Sequence, residues 1–262
     1  MKLRALLEAL VRGEIGLEEA ERRIRLLAIE ELEQLARLDV SREMRRGVPE
    51  IVLGEGKSRE ELRRIASLML SSAGRAIKSR VSRGDADYVV EKVKPHRYRY
   101  EELARILVLY SEDYRPVKTG GRVAIMSGGT ADIRVAEEAR VVAEEIGCDV
   151  KTFYDVGIAA LQRTLRAVRE ALEWGADVII VAAGREAALA SLVAGLVDVP
   201  VLGLPVSVGY GFAGQGVSAL AAMLQSCPLG VAVVNIDASV AAGVFAAIVA
   251  NSGPPTRPPQ LG

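Results

Sequence analysis

Hydrophobic and polar positions follow two different patterns along the chain: helical spacing in the first part, and short continuous apolar runs in the second. Residues 17–38 read LEEAERRIRLLAIEELEQLARL, with apolar residues at helical spacing among charges, which predicts an amphipathic helix. After Pro49, the run at 50–53 predicts a short strand, and a Gly-rich loop follows it. Ser58 and Glu61 have the spacing of a capping box, so we expect the next helix to begin there.

In the second part of the chain, a strand, a turn and a helix recur five times. Five β-branched-rich runs predict the strands: RVAIMSGG, VKTFYDVG, DVIIVAAG, VPVLGLPV and VAVVNID. Continuous apolar strands that alternate with helices indicate a parallel sheet covered on both faces. The fold class that follows is α/β, with a doubly wound parallel sheet preceded by a smaller, mainly helical α+β domain.

Charge is spread unevenly, and its shift marks a domain boundary. Residues 1–118 hold 25 Lys and Arg against 21 Asp and Glu, whereas residues 119–262 hold 9 against 13. The segment YSEDYRPVKTGG at 110–121 has the composition of a linker. We therefore predict an N-terminal domain at 1–118, an α/β domain at 119–252 and a Pro-rich tail at 253–262.

Composition argues against several classes of protein. The chain carries 34 basic and 34 acidic residues, so no overall basic field favours nucleic acid or a membrane surface. Its two cysteines cannot form a disulfide framework, and the first residues lack the apolar core of a signal peptide. The apolar segment at 239–253 is shorter than the ~20 residues that cross a bilayer, so we expect a buried helix there. A cytoplasmic location fits these features best.

In doubly wound sheets, ligands bind where the strands end and the helices begin, so the residues after each strand are the candidates. The first loop is SGGTAD at 127–132, whose glycines and hydroxyls suit a phosphate, although any tight strand-to-helix turn has this composition. Glu186 follows the third strand, where a carboxylate can also simply complement the helix dipole. The binding candidates after the first, second and fourth strands are Ser127, Gly128, Gly129, Thr130, Asp132, Asp155, Gly157, Ser207, Gly209, Tyr210 and Gly211.

Three other residue types bear on the chemistry: cysteine, lysine and histidine. Cys227 lies between the fourth helix of this part and the fifth strand, and it is either a buried, inert cysteine or a thiol near the ligand. The GEGKS segment lacks the first glycine of a P-loop, since Ile51 stands there, so Lys57 is either a solvated lysine or a phosphate ligand. His96 is the single histidine of the chain, so a Ser-His-Asp triad or a multi-histidine metal site has little support.

Five segments of the chain resemble the pyridinium-3,5-biscarboxylic acid mononucleotide synthase family of nickel-pincer cofactor biosynthesis, which serves lactate racemase maturation. They are ARLDVSREMRRGVPEIVLGEGK, IMSGGTADIRVAEEA, YDVGIA, VAAGREAALASLVAGLVDVPVLGLPVSVGYG and AMLQSCPLGVAVVNID. The resemblance covers most of residues 30–237. It implies a second domain similar to phosphoribosylaminoimidazole carboxylase.

The family's activity, carried over as an expectation, is carboxylation and hydrolysis of nicotinic acid adenine dinucleotide. Carbon dioxide or bicarbonate supplies the new carboxylate, and AMP leaves. By resemblance Cys227 is the covalent nucleophile and Glu186 is a base or orients the ring. Mg²⁺ would neutralise the diphosphate, mainly through substrate oxygens, with its protein ligands unknown. No organic cofactor is implied.

We expect the family's first-half signature either to bind the adenylate end or to pack on the second domain. It is retained in Asp39, Arg42, Arg45, Gly47, Pro49, Glu50, Gly54 and Lys57. The purine-pathway relatives are octameric, so the resemblance also implies a homo-oligomer. The apolar segments ASLVAGLV and SVAAGVFAAIV are either its interfaces or internal core.

The chain departs from the family pattern at Gln162, where the resemblance leads us to expect a histidine, and after NID, where an Asn-Gly-Phe-Gly is expected. Glutamine cannot transfer a proton at neutral pH, so activity is in doubt if the expected histidine is catalytic, whereas Gln162 can substitute if that residue only forms hydrogen bonds. Two alternatives to the family's activity stay open, and Gln162 supports only the second, since the purine-pathway enzymes also rely on an active-site histidine. One is an aminoimidazole ribonucleotide carboxylase or mutase of purine synthesis, whose substrate ring needs no thiol. The other is a non-catalytic nucleotide-binding paralogue.

Overall fold

The computed structural model describes residues 2–23, 47–211 and 214–252, and these form two sheets with their helices. The first part contains α1 (Lys2–Val11), a helical stretch at 17–23, β1 (Ile51–Leu53), α2 (Arg59–Ala73), β2 (Arg75–Ser79), α3 (Arg83–Val93), β3 (Arg97–Glu101) and β4 (Ile106–Tyr110). The second part contains β5 (Arg122–Ser127), α4 (Ile133–Glu145), β6 (Asp149–Phe153), α5 (Leu161–Trp174), β7 (Val178–Ala183), α6 (Ala188–Ala194), β8 (Val201–Pro205), α7 (Val217–Leu224), β9 (Val231–Val233) and α8 (Ser239–Ala250).

The first sheet has the order β1-β2-β4-β3, with β1 parallel to β2 and the other pairs antiparallel. Of its four strands, the sequence predicted only β1. Ser58 caps α2 and Glu61 completes the capping box, which confirms that prediction. One face of the sheet packs on α2 and α3 through Ala76, Leu107 and Leu109.

The second sheet has five parallel strands in the order β6-β5-β7-β8-β9, which confirms the predicted fold class. Alternate residues of each strand face opposite layers. Val123 and Ile125 belong to the core with α4 and α8, whereas Ala124 and Met126 belong to the core with α5, α6 and α7. This two-sided burial explains why the strands are continuous apolar runs.

The two sheets share one of these cores. The second face of the first sheet packs against α4, so that Ile77, Ile106 and Val108 lie in one cluster with Val142. Polar interactions also join the first sheet to α4. Arg75 pairs with Glu145 at 3.1 Å, and both side chains are more than nine-tenths buried. The first sheet is therefore fixed to the second by both apolar packing and a buried ion pair.

The segment at 239–253 forms the predicted helix α8, but only one face of it is buried. Small residues let it approach α4 closely, since a Cβ on Gly243 would lie 2.7 Å from the carbonyl oxygen of Ala139. On the other face, Phe245 and Ile248 are 46% and 40% exposed. The expectation of a buried helix therefore holds for the face toward α4 and not for this outer face.

Some predictions fall outside the described residues or are left open. Residues 17–23 of the predicted amphipathic helix are helical, and its remainder and the Pro-rich tail lie outside the described ranges. The segment 111–121 contains no helix or strand, as expected of a linker, while the domain limits stay a prediction. Across the described parts of the chain, no helix combines the length and apolarity needed to cross a bilayer.

Candidate functional site

The loops that follow the parallel strands meet at the carboxyl-terminal edge of the second sheet, where its strands end, and we call this the loop edge. The loops are packed there backbone against backbone. A Cβ on Gly157, after β6, would lie 2.4 Å from the carbonyl oxygen of Gly128, after β5. A Cβ on Gly184, after β7, would lie 2.5 Å from the carbonyl oxygen of Val208, after β8. These glycines are required because a side chain at either position would push neighbouring loops apart.

Two polar side chains of the SGGTAD loop hold this arrangement from within. The buried Ser127 Oγ accepts a hydrogen bond from the backbone N–H of Asp155 at 3.0 Å. Asp132 Oδ2 accepts one from the N–H of Gly129 at 2.8 Å. Burial raises the pKa of Asp132, and hydrogen bonds from the N–H groups of Gly129 and Gly184 partly offset this. The side chains of Ser127 and Asp132 thus order the loops, and the exposed Thr130 faces solvent.

The loops after β6 and β7 present charged groups at the surface. Asp155 pairs with Arg163 in α5, next to the exposed Gln162. Arg185 lies over the ring of Tyr210 at 5.1 Å and brings the β7 and β8 loops together. Glu186 is 63% exposed in its side chain, with Arg185 at 3.9 Å. Its carboxylate is therefore accessible to a ligand from solvent.

Several residues of this edge adopt left-handed backbone conformations without being glycine. Asp155, Arg185, Ala187 and Asp237 have φ values of 55°, 56°, 48° and 53°. Such conformations cost about 1 kcal/mol each for most residue types, and they concentrate at functional sites. Their grouping at the carboxyl ends of three strands supports a functional role for this edge.

The first domain reaches the same edge through Arg80, directly after β2. One guanidinium nitrogen of Arg80 donates to the carbonyl oxygen of Asp237 at 2.6 Å, and another pairs with Glu55 at 3.3 Å. Asp237 in turn accepts the backbone N–H of Ser207 at 2.9 Å. The loops after β1, β2, β8 and β9 are therefore in contact with one another through Arg80 and Asp237. The sequence did not predict that Arg80 would lie at this edge.

Glu138 is a second group that sequence reasoning missed. It is buried beside Arg80, at 3.7 Å, and accepts a hydrogen bond from Ser239 at the start of α8. Burial raises its pKa, and its Oε1 has no hydrogen-bond partner among the described residues. No local pattern marks Glu138, because its partners come from distant elements.

Cys227 lies elsewhere. It is exposed, follows the end of α7 and precedes Gly230, whose carbonyl oxygen accepts the N–H of Val201 at the start of β8. The next residue, Pro228, lies close to Gly195, beyond the end of α6. The thiol thus lies toward the other end of the sheet, where the strands begin. Most of the ~16 Å length of a five-residue strand separates it from the loops.

The structure brings most of the predicted site residues to one edge. These are Ser127, Gly128, Gly129, Thr130, Asp132, Asp155, Gly157, Glu186, Ser207, Gly209, Tyr210 and Gly211. Lys57 lies in the loop after β1. Cys227 is not brought to this edge within one chain, and Asp39, Arg42 and Arg45 lie outside the described residues. His96 is exposed before β3, at the far edge of the first sheet.

Comparison with known proteins agrees with this two-sheet architecture. The AIR carboxylase family model matches residues 122–257, which hold the parallel sheet and its loops. The chain belongs to the AIR carboxylase family. A second model, described as the LarB/PurE-like N-terminal domain, matches residues 29–112. This member of the family therefore has the LarB-like arrangement, a N-terminal domain followed by a PurE-like domain.

Relatives of this AIR carboxylase-family chain fall into two groups. An uncharacterized protein of Methanocaldococcus jannaschii is 39% identical over 253 residues, which are 95% of this chain and 96% of that protein. The N5-carboxyaminoimidazole ribonucleotide mutase of Thermotoga maritima is 34% identical over 49% of this chain and 74% of its own length. A probable mutase of the same name from Methanothermobacter thermautotrophicus is 34% identical over 51% of this chain and 39% of its own length. The family comprises carboxylase- and mutase-type enzymes.

Proposed function

We propose that the chain carboxylates nicotinic acid adenine dinucleotide and cleaves its phosphoanhydride. The products are pyridinium-3,5-biscarboxylic acid mononucleotide and AMP, and the carboxylate comes from carbon dioxide or bicarbonate. The observation that carries the proposal is the LarB/PurE-like domain at 29–112 directly before an AIR carboxylase domain that holds an exposed cysteine, Cys227. We place the reaction in the cytoplasm.

A thiol answers the chemical difficulty of this reaction. A pyridinium ring is electron-poor and does not attack carbon dioxide. Addition of the Cys227 thiolate at ring carbon 4 gives a dihydropyridine in which carbon 5 ends an enamine and is nucleophilic. Carbon 5 then forms a bond to carbon dioxide, a base removes the proton from carbon 5, and the thiolate leaves as aromaticity returns.

The loop edge supplies the remaining roles in this proposal. Glu186, solvent-facing and close to Arg185, is the proposed proton acceptor. The SGGTAD loop, with its exposed Thr130, is proposed to hold a phosphate or the ring carboxylate. Tyr210, held under Arg185, offers an aromatic face to a planar ring.

Mg²⁺ is proposed as a companion of the diphosphate. Within the described ranges, no three His, Cys, Asp or Glu side chains come together in a way that could hold a metal ion. The described residues therefore do not form a dedicated metal cage, and substrate phosphate oxygens would be the main ligands. No step proposed here depends on the ion.

The distance between Cys227 and the loop edge adds a requirement. The eight residues of α7 span about 12 Å between the β8 loop and the segment that carries the thiol. For Cys227 to reach a substrate bound at the loops, a second copy of the chain must supply it. Cys227 is exposed, and so are its neighbours Leu224 and Leu229, at 64% and 93%, which suits an apolar contact with another copy. We therefore propose a homo-oligomer with composite sites.

Product analysis tests the proposal directly. The protein is incubated with nicotinic acid adenine dinucleotide, Mg²⁺ and bicarbonate, and AMP and the dicarboxylated mononucleotide are followed by mass spectrometry. We expect both products from the wild type and no dicarboxylated product from Cys227→Ala. A Cys148→Ala variant is the matched control, since that thiol is buried. Binding of the dinucleotide without turnover would instead support a non-catalytic protein, and Gln162→His would then be the first variant to examine.

A second candidate is an N5-carboxyaminoimidazole ribonucleotide mutase or carboxylase, favoured by the relatives that match the second domain. Its substrate ring is already an enamine, so it needs no thiol. If an aminoimidazole ribonucleotide is turned over, and Cys227→Ala leaves that turnover unchanged, this candidate replaces the first.

A further inference from the structure

We propose that Lys78 and Lys57 form a binding site for a phosphate group at the amino-terminal end of α2, in the first domain. The site is distinct from the SGGTAD loop. The inference rests on the proposed function, because a dinucleotide substrate with two phosphates needs more than one anchoring point for its charge.

Lys78 is the first observation. It lies in β2, its side chain is fully buried, and its Nζ has no hydrogen-bond partner among the described residues. Burying an ammonium group without a partner is costly, so such groups are rare unless a ligand or a reaction uses them. Burial and the nearby charge of Lys57 lower the pKa of Lys78 to about 8.

The direction of the Lys78 side chain follows from the strand. Ala76 of β2 faces α2, where it packs with Leu62 and Ala66. Because side chains two residues apart lie on the same face of a strand, Lys78 faces α2 as well. Lys78 is nearer the carboxyl end of β2, which lies beside the loop that starts α2. Its amine therefore lies on the α2 face of the sheet, toward the end at which that helix begins, and close enough to Lys57 for the two charges to interact.

Lys57 supplies a second positive charge in this loop, directly before the cap residue Ser58. The carboxylates closest in sequence are occupied elsewhere. Glu61 accepts hydrogen bonds from the backbone and hydroxyl of Ser58, Glu60 pairs with Arg63, and Glu55 pairs with Arg80. The amino-terminal end of α2 is already complemented by Glu60 and Glu61 in its first turn, so the two lysines are the groups that would hold the phosphate. A dianionic phosphate group would satisfy both ammonium groups at once.

The placement of this cationic site suits a long substrate. Arg80, two residues after Lys78, contacts the carbonyl oxygen of Asp237 at the loop edge of the second sheet. A substrate bound along this continuous rim could place one end at the second domain and a phosphate at the first. Admission of a phosphate to the buried amine requires the loop at 54–57 to shift. Gly56, with φ of 77° and open space around it, is suited to such a movement.

Inorganic pyrophosphate and AMP are the probes for this site, and calorimetry on the full-length protein measures their affinity. We expect Lys78→Met and Lys57→Gln each to weaken pyrophosphate binding by about tenfold or more. Lys92→Met is the matched control, because Lys92 is exposed on α3 and paired with Glu91; its affinity should equal that of the wild type. Lys57→Gln also serves if Lys78→Met does not fold, since Lys57 is only half-buried.

Undiminished pyrophosphate binding by both lysine variants would overturn the proposed site, as would a wild type that binds neither probe. The outcome is separable from that of the proposed function. Reduced probe binding in both variants, together with a wild type that never turns over the dinucleotide, would keep the phosphate site and remove the carboxylase. Turnover by the wild type, with undiminished probe binding in both variants, would keep the carboxylase and remove the phosphate site.

Discussion

Replacing Lys78 by Met should make the protein more stable, although Lys78 is fully buried. Met has a similar length and no charge, so it fills the same space among Val52 and Leu107, the residues that pair with Lys78 in the sheet. Burial lowers the pKa of Lys78 from its ordinary value near 10.5 to about 8. At about 1.4 kcal/mol per tenfold change in proton affinity, the charged form costs the folded state about 3 kcal/mol.

The pH dependence of this cost has a definite sign. Below pH 8, Lys78 is protonated in both the folded and unfolded states, so the full cost is present. Between pH 8 and 10.5 the unfolded chain binds more protons than the folded protein, so the free energy of unfolding rises with pH. The Met variant lacks this contribution. Its advantage over the wild type should therefore be largest at pH 7 and shrink toward pH 10.

Urea unfolding of wild type, Lys78→Met and Lys92→Met at pH 7 and pH 10 measures both effects. At pH 7 we expect Lys78→Met to gain at most about 3 kcal/mol and the control to change by less than about 0.5 kcal/mol. A Lys78→Met variant that is less stable than the wild type at pH 7 would refute the reasoning. It would mean that Lys78 is stabilised by a partner in the folded state.

Three further predictions concern the loops, the domain contact and the composite site. Gly157→Ala should destabilise the protein by about 1–3 kcal/mol, because its Cβ would lie 2.4 Å from a carbonyl oxygen; Gly129→Ala, whose nearest contact is 3.7 Å, should be almost neutral in the same urea titration. Glu145→Gln should lower the melting temperature in calorimetry, since it removes the carboxylate charge that pairs with the buried Arg75, at a cost of about 3 kcal/mol; an unchanged value would show that the pair is dispensable. The Cys227→Ala and Glu186→Gln variants, each inactive alone, are mixed under conditions that exchange subunits. If each site draws the two groups from different chains, the mixture should regain about one quarter of wild-type turnover. No recovery would place both groups in one chain.

Much of the second domain could be predicted because its strands are buried on both faces. Runs such as VIIVAA at 178–183 contain no residue that must meet water, so composition alone indicates the strand. The turns at their ends follow from glycines whose neighbours leave no space for a side chain, as at Gly157. The edge that gathers the site residues follows from the parallel order of the strands.

The first domain was harder because its inner strand β2 carries charged residues that are nevertheless buried. Arg75 and Lys78 lie in a strand that is buried throughout, and Arg75 finds its partner Glu145 seventy residues away. The sequence around β2 therefore resembles a surface segment. Only tertiary packing makes it a central strand, which is why β2 was not predicted. The apolar run ILVLY of β4 does carry a strand signal, and the prediction missed it.

The position of Cys227 could have been derived from topology, but periodicity does not reveal it. A helix that follows a strand in a parallel sheet runs back along it, so the residues after that helix belong to the edge where strands begin. Cys227 follows α7 and therefore lies at that edge. Glu186 follows β7 directly and therefore lies at the edge where the strands end.

The face of α4 that the first sheet covers has a consequence for cutting the chain. Val142 is fully buried there, in contact with a cluster to which Ile77 and Val108 of the first sheet belong. A fragment that begins near residue 119 would expose this apolar face to water and leave Glu145 without Arg75. Such a fragment should associate through the uncovered helix or precipitate, and the intact protein should melt in a single cooperative transition.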